Sequence, residues 1–343
     1  MKTRAAILVE QNAPLELDEV EIPPLEYGQV LVEMEVTRIC GSQLGEIAGV
    51  KGPDPWLPHL LGHEAGGKVL ETGPCVKTVK PGDKVVVHWR RGAGIESAPP
   101  QYSRNGQTVN AGHITTFNQY GVISENRLTK IPEDTDMEVA ALLADTLTTG
   151  FGLVNNDAQL KIGESIVVIG CGGIGLGVVL GAHLAGGHPV IAADLQNHKL
   201  ELAKKFGATH TINCKETDLT ESVVKMLGNK PDIVVDGTGN SKVIEEAYEL
   251  TNDRGRTVLF GVMHHRHRVQ IHTLPLHFEK ILTGSVGGDS LPAEDIPRYL
   301  RMMQDRRFDP KPFVSHRMPF EDINQGIQKL RDGEVVHAMV HFR

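Results

Sequence analysis

Residues 167–177 read VVIGCGGIGLG, so that Gly170, Gly172 and Gly175 form a GxGxxG run after a buried-strand pattern and at the opening of a helical one. In that setting the glycines permit a tight turn, close approach of a pyrophosphate and close packing of helix on strand. The helix N-terminus offers free N–H groups and the positive end of a dipole to the phosphates. A lone GxGxxG says little, but here a second strand pattern, PVIAADL, ends on Asp194, at the spacing of about 20 residues expected of a ribose-binding acid. A carboxylate there accepts hydrogen bonds from ribose hydroxyls and repels a 2′-phosphate. Leu195, Gln196 and Asn197 bring no arginine for such a phosphate, so the pattern predicts NAD rather than NADP. The competing reading of Asp194 is a helix N-cap ahead of HKLELAKKFG.

Other reactive side chains stand in short groups: Cys40-Gly41-Ser42, Gly62-His63-Glu64, Pro81-Gly82-Asp83, and Asp145 within ALLADTLTTGFG. Singly each is ordinary, since a lone Cys or His is more often core than ligand. The elements that must position them are short strands across the first 150 residues, RAAILVE, GQVLVEMEVTRI, GGKVLETG, DKVVVHW and FNQYGVIS, separated by Gly, Pro and Asp turns. Such regular strands predict a barrel-like β domain. From about residue 163, ESIVVIG, PVIAADL, PDIVVDGTG and TVLFGV alternate with helical stretches, which predicts βαβ units and a parallel sheet.

A chain of 343 residues has room for about two domains. Glycine is in excess at 37 residues, and its clusters at 170–177 and 284–288 suggest backbone approaching a ligand rather than a linker. The net charge of −8 argues against a nucleic-acid or membrane-surface partner. No apolar run is expected to supply the roughly 20 residues of a membrane span, and the first residues are too acidic for a signal or transit peptide. Cys40, Cys75, Cys171 and Cys214 are too widely spaced for a disulfide framework, so a reducing cytoplasm is expected.

Taken in order ahead of a dinucleotide fold, the CGS, GHE and PGD groups and Asp145 resemble the medium-chain zinc-dependent alcohol dehydrogenase family. The resemblance covers essentially the whole chain, including TVLFGV and LTGSVGG. It implies an α/β protein with a GroES-like, β-rich catalytic domain from residues 1–155 with 291–343, and a Rossmann domain with a doubly wound parallel sheet over 156–290. The implied reaction is NAD-linked hydride transfer to or from an alcohol or polyol, with one zinc per chain acting as Lewis acid. By position, Cys40, His63 and Asp145 become zinc ligands, three protein donors that leave a fourth position open. Glu64 becomes a residue near the metal that exchanges with bound water, and Ser42 the hydroxyl that passes the alcohol proton outward. The turn Gly170, Gly172, Gly173, Ile174 and Gly175 would seat the pyrophosphate, Thr149 the nicotinamide, and Asp194 and Lys199 the adenosine ribose. Thr238 and His337 join the cofactor-binding residues, His337 standing where relatives often have an Arg or Lys reaching the pyrophosphate. Relatives associate through the nucleotide domain, so a homodimer or homotetramer is expected, with TLPLHFEKILTGSVGG at the contact.

Departures from the family pattern matter as well. The stretch where many members carry a four-cysteine structural zinc loop contains no cysteine, so that second zinc is expected to be absent. Gly45 replaces a relay histidine, and Gln43 stands where most relatives have Asp. Arg90, Arg91 and Arg104 could recognise an anionic substrate such as a polyol phosphate, or pair with nearby carboxylates. His88, His113 and the HHRHR run at 264–268 are read as hydrogen-bonded or surface histidines rather than ligands. Two rival readings remain: a zinc-free reductase of the same fold, and a non-catalytic NAD-binding protein.

Overall fold

Eleven residues, QVLVEMEVTRI, form the strand Gln29–Ile39 on which the first half of the structure is assembled. β-branched and long apolar side chains suit such a pleated, buried surface. The structure, a computed structural model, describes residues 1–342. Two compact units emerge, residues 1–145 with the residues from Leu291 onward, and Thr146–Ser290.

In the first unit Gln29–Ile39 pairs antiparallel with Glu64–Thr72, Tyr120–Ser124 and Ala338–His341. The sheet continues outward through Lys84–His88 and Leu128–Lys130 on one side and His316–Pro319 on the other. A second sheet runs His59–Leu60, Lys2–Leu8, Glu16–Glu21, Tyr102–Arg104, Gln107–Val109. Alternate residues Val30, Val32 and Met34 point into a core shared with Leu8, Val85, Val87, Phe117 and Ile123. Their period of two is that of a half-buried strand.

The second unit is a six-stranded parallel sheet in the order His210–Asn213, Val190–Asp194, Ile166–Ile169, Ile233–Asp236, Arg256–Leu259, Ile281–Gly284. Its central strands, IVVI and IVVD, are buried throughout. That continuous apolar character follows from a parallel sheet covered on both faces. The unit begins at Thr146, ten residues before the boundary read from the sequence, because the helix Thr146–Gly152 packs on the helix Gly173–Leu184.

One sequence expectation needs correction. The helical stretch Met137–Asp157 spans 21 residues and is apolar enough by length and composition to cross a membrane. Its apolar window is 94% buried inside the fold, as a core helix would be.

Candidate metal centre and dinucleotide cradle

The reactive groups of the first unit sit at ends of elements. Cys40 ends the strand Gln29–Ile39 and caps the helix Gly41–Ile47. His63 opens the strand Glu64–Thr72. Gly62 before it has φ +90°, and a Cβ there would lie 2.4 Å from Thr116 Oγ1. Only glycine lets the chain turn so tightly and deliver the imidazole. Asp145 follows the helix Met137–Leu143.

Together Cys40, His63, Glu64 and Asp145 bring one potential ligand atom each to within 4.8 Å of one another. His63 Nε2 lies 3.4 Å from Glu64 Oε1 and 3.7 Å from Asp145 Oδ2. Burial alone would push the His63 pKa down. Asp145, Cys40 and Glu64 overcome that and raise it well above the ordinary value. The pocket therefore holds an excess of electron-pair donors over positive charge, and thiolate, imidazole and carboxylate are the donor types that suit a tetrahedral zinc. Because ligands must shed their protons, metal uptake is expected to release protons. The raised His63 pKa extends this competition above the usual histidine range. Affinity should thus fall on acidification by roughly tenfold per pH unit for each proton displaced. Calorimetric metal titrations in buffers of different ionisation enthalpy measure both; an affinity flat between pH 6 and 8 would contradict this.

Each of three site side chains has a partner outside the cluster. Gln43 accepts from the Cys40 N–H through Oε1 at 2.9 Å and places Nε2 2.5 Å from His63 Nδ1. Trp89 Nε1 donates to Asp145 Oδ1 at 2.8 Å. Arg38, buried, donates to both Glu64 oxygens, from Nε at 2.8 Å and Nη2 at 2.7 Å. Such bidentate pairing suits a guanidinium out of water. Burial opposes the charge on Arg38, yet Glu64 keeps its pKa raised. Neither Arg38 nor Trp89 was singled out as functional from the sequence. The available signal was Arg38 inside the strand pattern VEMEVTRIC at 32–40, since a buried arginine demands a counter-charge.

The expected role of His337 is not supported. Its side chain is fully buried, with Nδ1 3.0 Å from Arg38 Nη1 and the ring edge-on to Phe313. Burial, then Arg38, drives its pKa well down, so a neutral ring accepts from the guanidinium rather than meeting a pyrophosphate. The loop arginines are also largely committed. Arg104 pairs with Glu16 and Asp18, and Arg91 with Glu96, while the Arg90 guanidinium lies over the Trp89 ring.

Several other histidines are engaged with their neighbours. His88 is buried, its pKa pushed down to about 4 by burial, and it bonds the Arg90 carbonyl and Thr129. His113 lies 3.0 Å from the Ser97 carbonyl. His264, His265 and His267 cluster ring to ring in the 264–268 run. His59 bonds Asp54 at 2.9 Å with Glu46 4.0 Å away, a group closed by its own hydrogen bond. Ser42 is exposed on the helix Gly41–Ile47.

In the second unit the strand Ile166–Ile169 runs into the glycine turn and the helix Gly173–Leu184. A Cβ on Gly175 would lie 1.9 Å from the Gly170 carbonyl oxygen, so no other residue fits there. Asp194 ends the strand Val190–Asp194; its Oδ2 accepts from Cys171 N at 2.8 Å and its Oδ1 from Gln196 N at 2.9 Å. The helix Asn197–Lys205 is capped by Gln196, so the N-cap reading of Asp194 does not hold. Lys199 lies on that helix, and Thr238 follows the strand Ile233–Asp236, its hydroxyl donating to Asp236 at 2.7 Å. Thr149 is buried on the helix Thr146–Gly152.

A β-rich unit carrying a thiol–imidazole–carboxylate centre, and a parallel-sheet unit with a glycine turn and an acid at the next strand end, define a two-unit oxidoreductase. Residues 26–133 match the alcohol dehydrogenase GroES-like domain and residues 173–305 the zinc-binding dehydrogenase domain. The chain is 30% identical to an alcohol dehydrogenase class-3 of Cereibacter sphaeroides and 31% identical to an S-(hydroxymethyl)glutathione dehydrogenase of Synechocystis, covering all of both partners in each case. Among solved structures, a benzyl alcohol dehydrogenase of Acinetobacter calcoaceticus superposes with TM-score 0.90 at 25% identity over all of both chains. An alcohol dehydrogenase zinc-binding domain protein of Burkholderia ambifaria gives 0.91 at 26%, over 100% of this chain and 99% of that one. The chain belongs to the medium-chain zinc-dependent alcohol dehydrogenase family.

Proposed function

We propose that this protein oxidises an alcohol or polyol, or reduces the matching carbonyl, with NAD and one catalytic zinc per chain. The observation that carries the reading is the convergence of Cys40, His63 and Asp145, with Glu64, within 4.8 Å. A zinc-free reductase or a non-catalytic NAD-binding protein has no use for that donor set. When bound, zinc would supply Lewis acidity toward the substrate oxygen and NAD would supply the hydride acceptor. Cys40, His63 and Asp145 would hold the metal, while Arg38 fixes Glu64 at its edge through two hydrogen bonds. Ser42 accepts the alcohol proton. Gly45 offers no imidazole to carry it further, so water on the exposed face of the helix receives it.

Neutral substrates are favoured, because Arg91 and Arg104 already neutralise carboxylates. Asp194 and the glycine turn take NAD, with Lys199, Thr149 and Thr238 as further contacts. Replacing Asp194 by Ala removes a charged acceptor worth about 1.5–3 kcal/mol. NAD affinity is expected to fall roughly 10–100-fold, with discrimination against NADP reduced. Fluorescence titrations with NADH and NADPH measure both, and unchanged discrimination would remove Asp194 from the selectivity argument. Phe278, Ile281 and Val286 are exposed around the edge strand Ile281–Gly284, which supports a homo-oligomer formed there.

The test is NADH formation with a panel of primary alcohols, polyols, polyol phosphates and S-(hydroxymethyl)glutathione, run beside metal analysis. Activity that tracks zinc content supports the reading. Turnover in zinc-free protein would favour the reductase, and NAD binding without turnover on any substrate the non-catalytic reading.

A further inference from the structure

The strand register sets an aromatic donor beside the metal centre. Glu64 and His88 are cross-strand partners in an antiparallel pair, so Trp89, the next residue after His88, falls beside His63, the residue before Glu64. From there the indole N–H reaches Asp145 Oδ1 at 2.8 Å, while Asp145 Oδ2 faces His63 Nε2 at 3.7 Å. The two oxygens of one carboxylate are thereby divided, one toward the indole and one toward the ligand cluster. The Arg90 guanidinium over the ring, 5.8 Å from its centroid, packs the indole from one face.

The geometry points to Trp89 as a positioning residue for a carboxylate metal ligand, holding Asp145 so that one oxygen alone is offered to the ion. This rests on the zinc reading of the site. An indole is suited to the task because it is a donor with no acceptor, and so cannot compete for the metal. A carboxylate free to rotate presents either oxygen or both, and fixing one face removes that freedom before the ion arrives. A cysteine at the same place has no second atom to hold, so the need for the indole belongs to the aspartate.

The experiment is a double-mutant cycle on zinc affinity, measured in the full chain by competition with a chromophoric chelator. Trp89→Phe keeps an aromatic ring and removes the N–H. In the natural background it is expected to weaken zinc binding roughly 10–100-fold, the usual size of an outer-shell loss. In the Asp145→Cys background the same change should have little effect, since the thiolate ligates without the indole. Cobalt-substituted protein adds a spectroscopic reading: Trp89→Phe should shift the visible d–d bands, as the carboxylate changes its mode of binding. Equal losses in both backgrounds would show that the ring acts only by packing, and would overturn the inference. So would a Trp89→Phe protein that matches wild type in affinity and cobalt spectrum. If Asp145→Cys binds no zinc, the affinity and cobalt comparison in the natural background decides alone. A wild-type chain that binds no zinc removes the metal reading itself, a result distinct from all of these.

Discussion

Asp145→Ala is expected to empty the metal centre and remove nearly all alcohol oxidation. It leaves Cys40 and His63 as ligands, one short of the three that hold a catalytic zinc. Lewis-acid stabilisation contributes several kcal/mol to such a reaction; about 4 kcal/mol corresponds to a rate loss on the order of 10³-fold. Zinc per chain by mass spectrometry should drop from about one toward zero, with NAD binding intact because Asp194 and the glycine turn are untouched. A variant that keeps full zinc and full rate would exclude Asp145 as a ligand. Two zincs in the wild type would mean that a second centre exists outside the one described.

Arg38→Met is expected to produce the largest loss of stability. Glu64 is fully buried and takes both its strong hydrogen bonds from Arg38. Removing one partner of a buried ion pair costs about 3–5 kcal/mol, because the other charge stays behind without compensation. For a unit of roughly 200 residues that amounts to a Tm lower by about 6–20 °C. His337 loses its partner as well, since Arg38 Nη1 is 3.0 Å from its Nδ1. Adding Glu64→Gln to Arg38→Met should recover much of the loss, as the stranded charge is then gone. Calorimetry on the two single variants and the double variant decides it. An Arg38→Met protein as stable as wild type would mean that the stranded Glu64 finds another partner at no cost.

The sequence made some of this visible and hid the rest for physical reasons. Gly170 and Gly175 were readable because the chemistry of a tight turn excludes other residues, and Asp194 because its spacing follows from the length of one βαβ unit. Cys40, His63 and Asp145 were readable as an ordered set. Arg38 and Trp89 were not, since their contacts depend on which residues face one another across the sheet and at its end. The setting of His337 was not readable, because a position along the chain does not say where a side chain points. In the fold it turns inward to Arg38. The loop arginines were ambiguous for the same reason, as Glu16 and Asp18 lie more than eighty residues from Arg104 yet beside it in space. The start of the second unit at Thr146 carries no mark in the sequence, because the helix Thr146–Gly152 follows the preceding helix closely.

The first unit takes its strands from both sides of the second in the chain. Gln29–Ile39 lacks one of its neighbours until Ala338–His341 has been made. On a ribosome, Thr146–Ser290 emerges as one continuous stretch and can fold as it appears. The strand that comes before it must wait for its late partner, on the order of 15–60 s at about 5–20 residues per second. During that interval the edge at Val36–Ile39 stands open with its apolar face already in place, the stage of biosynthesis at which a chaperone has most to protect.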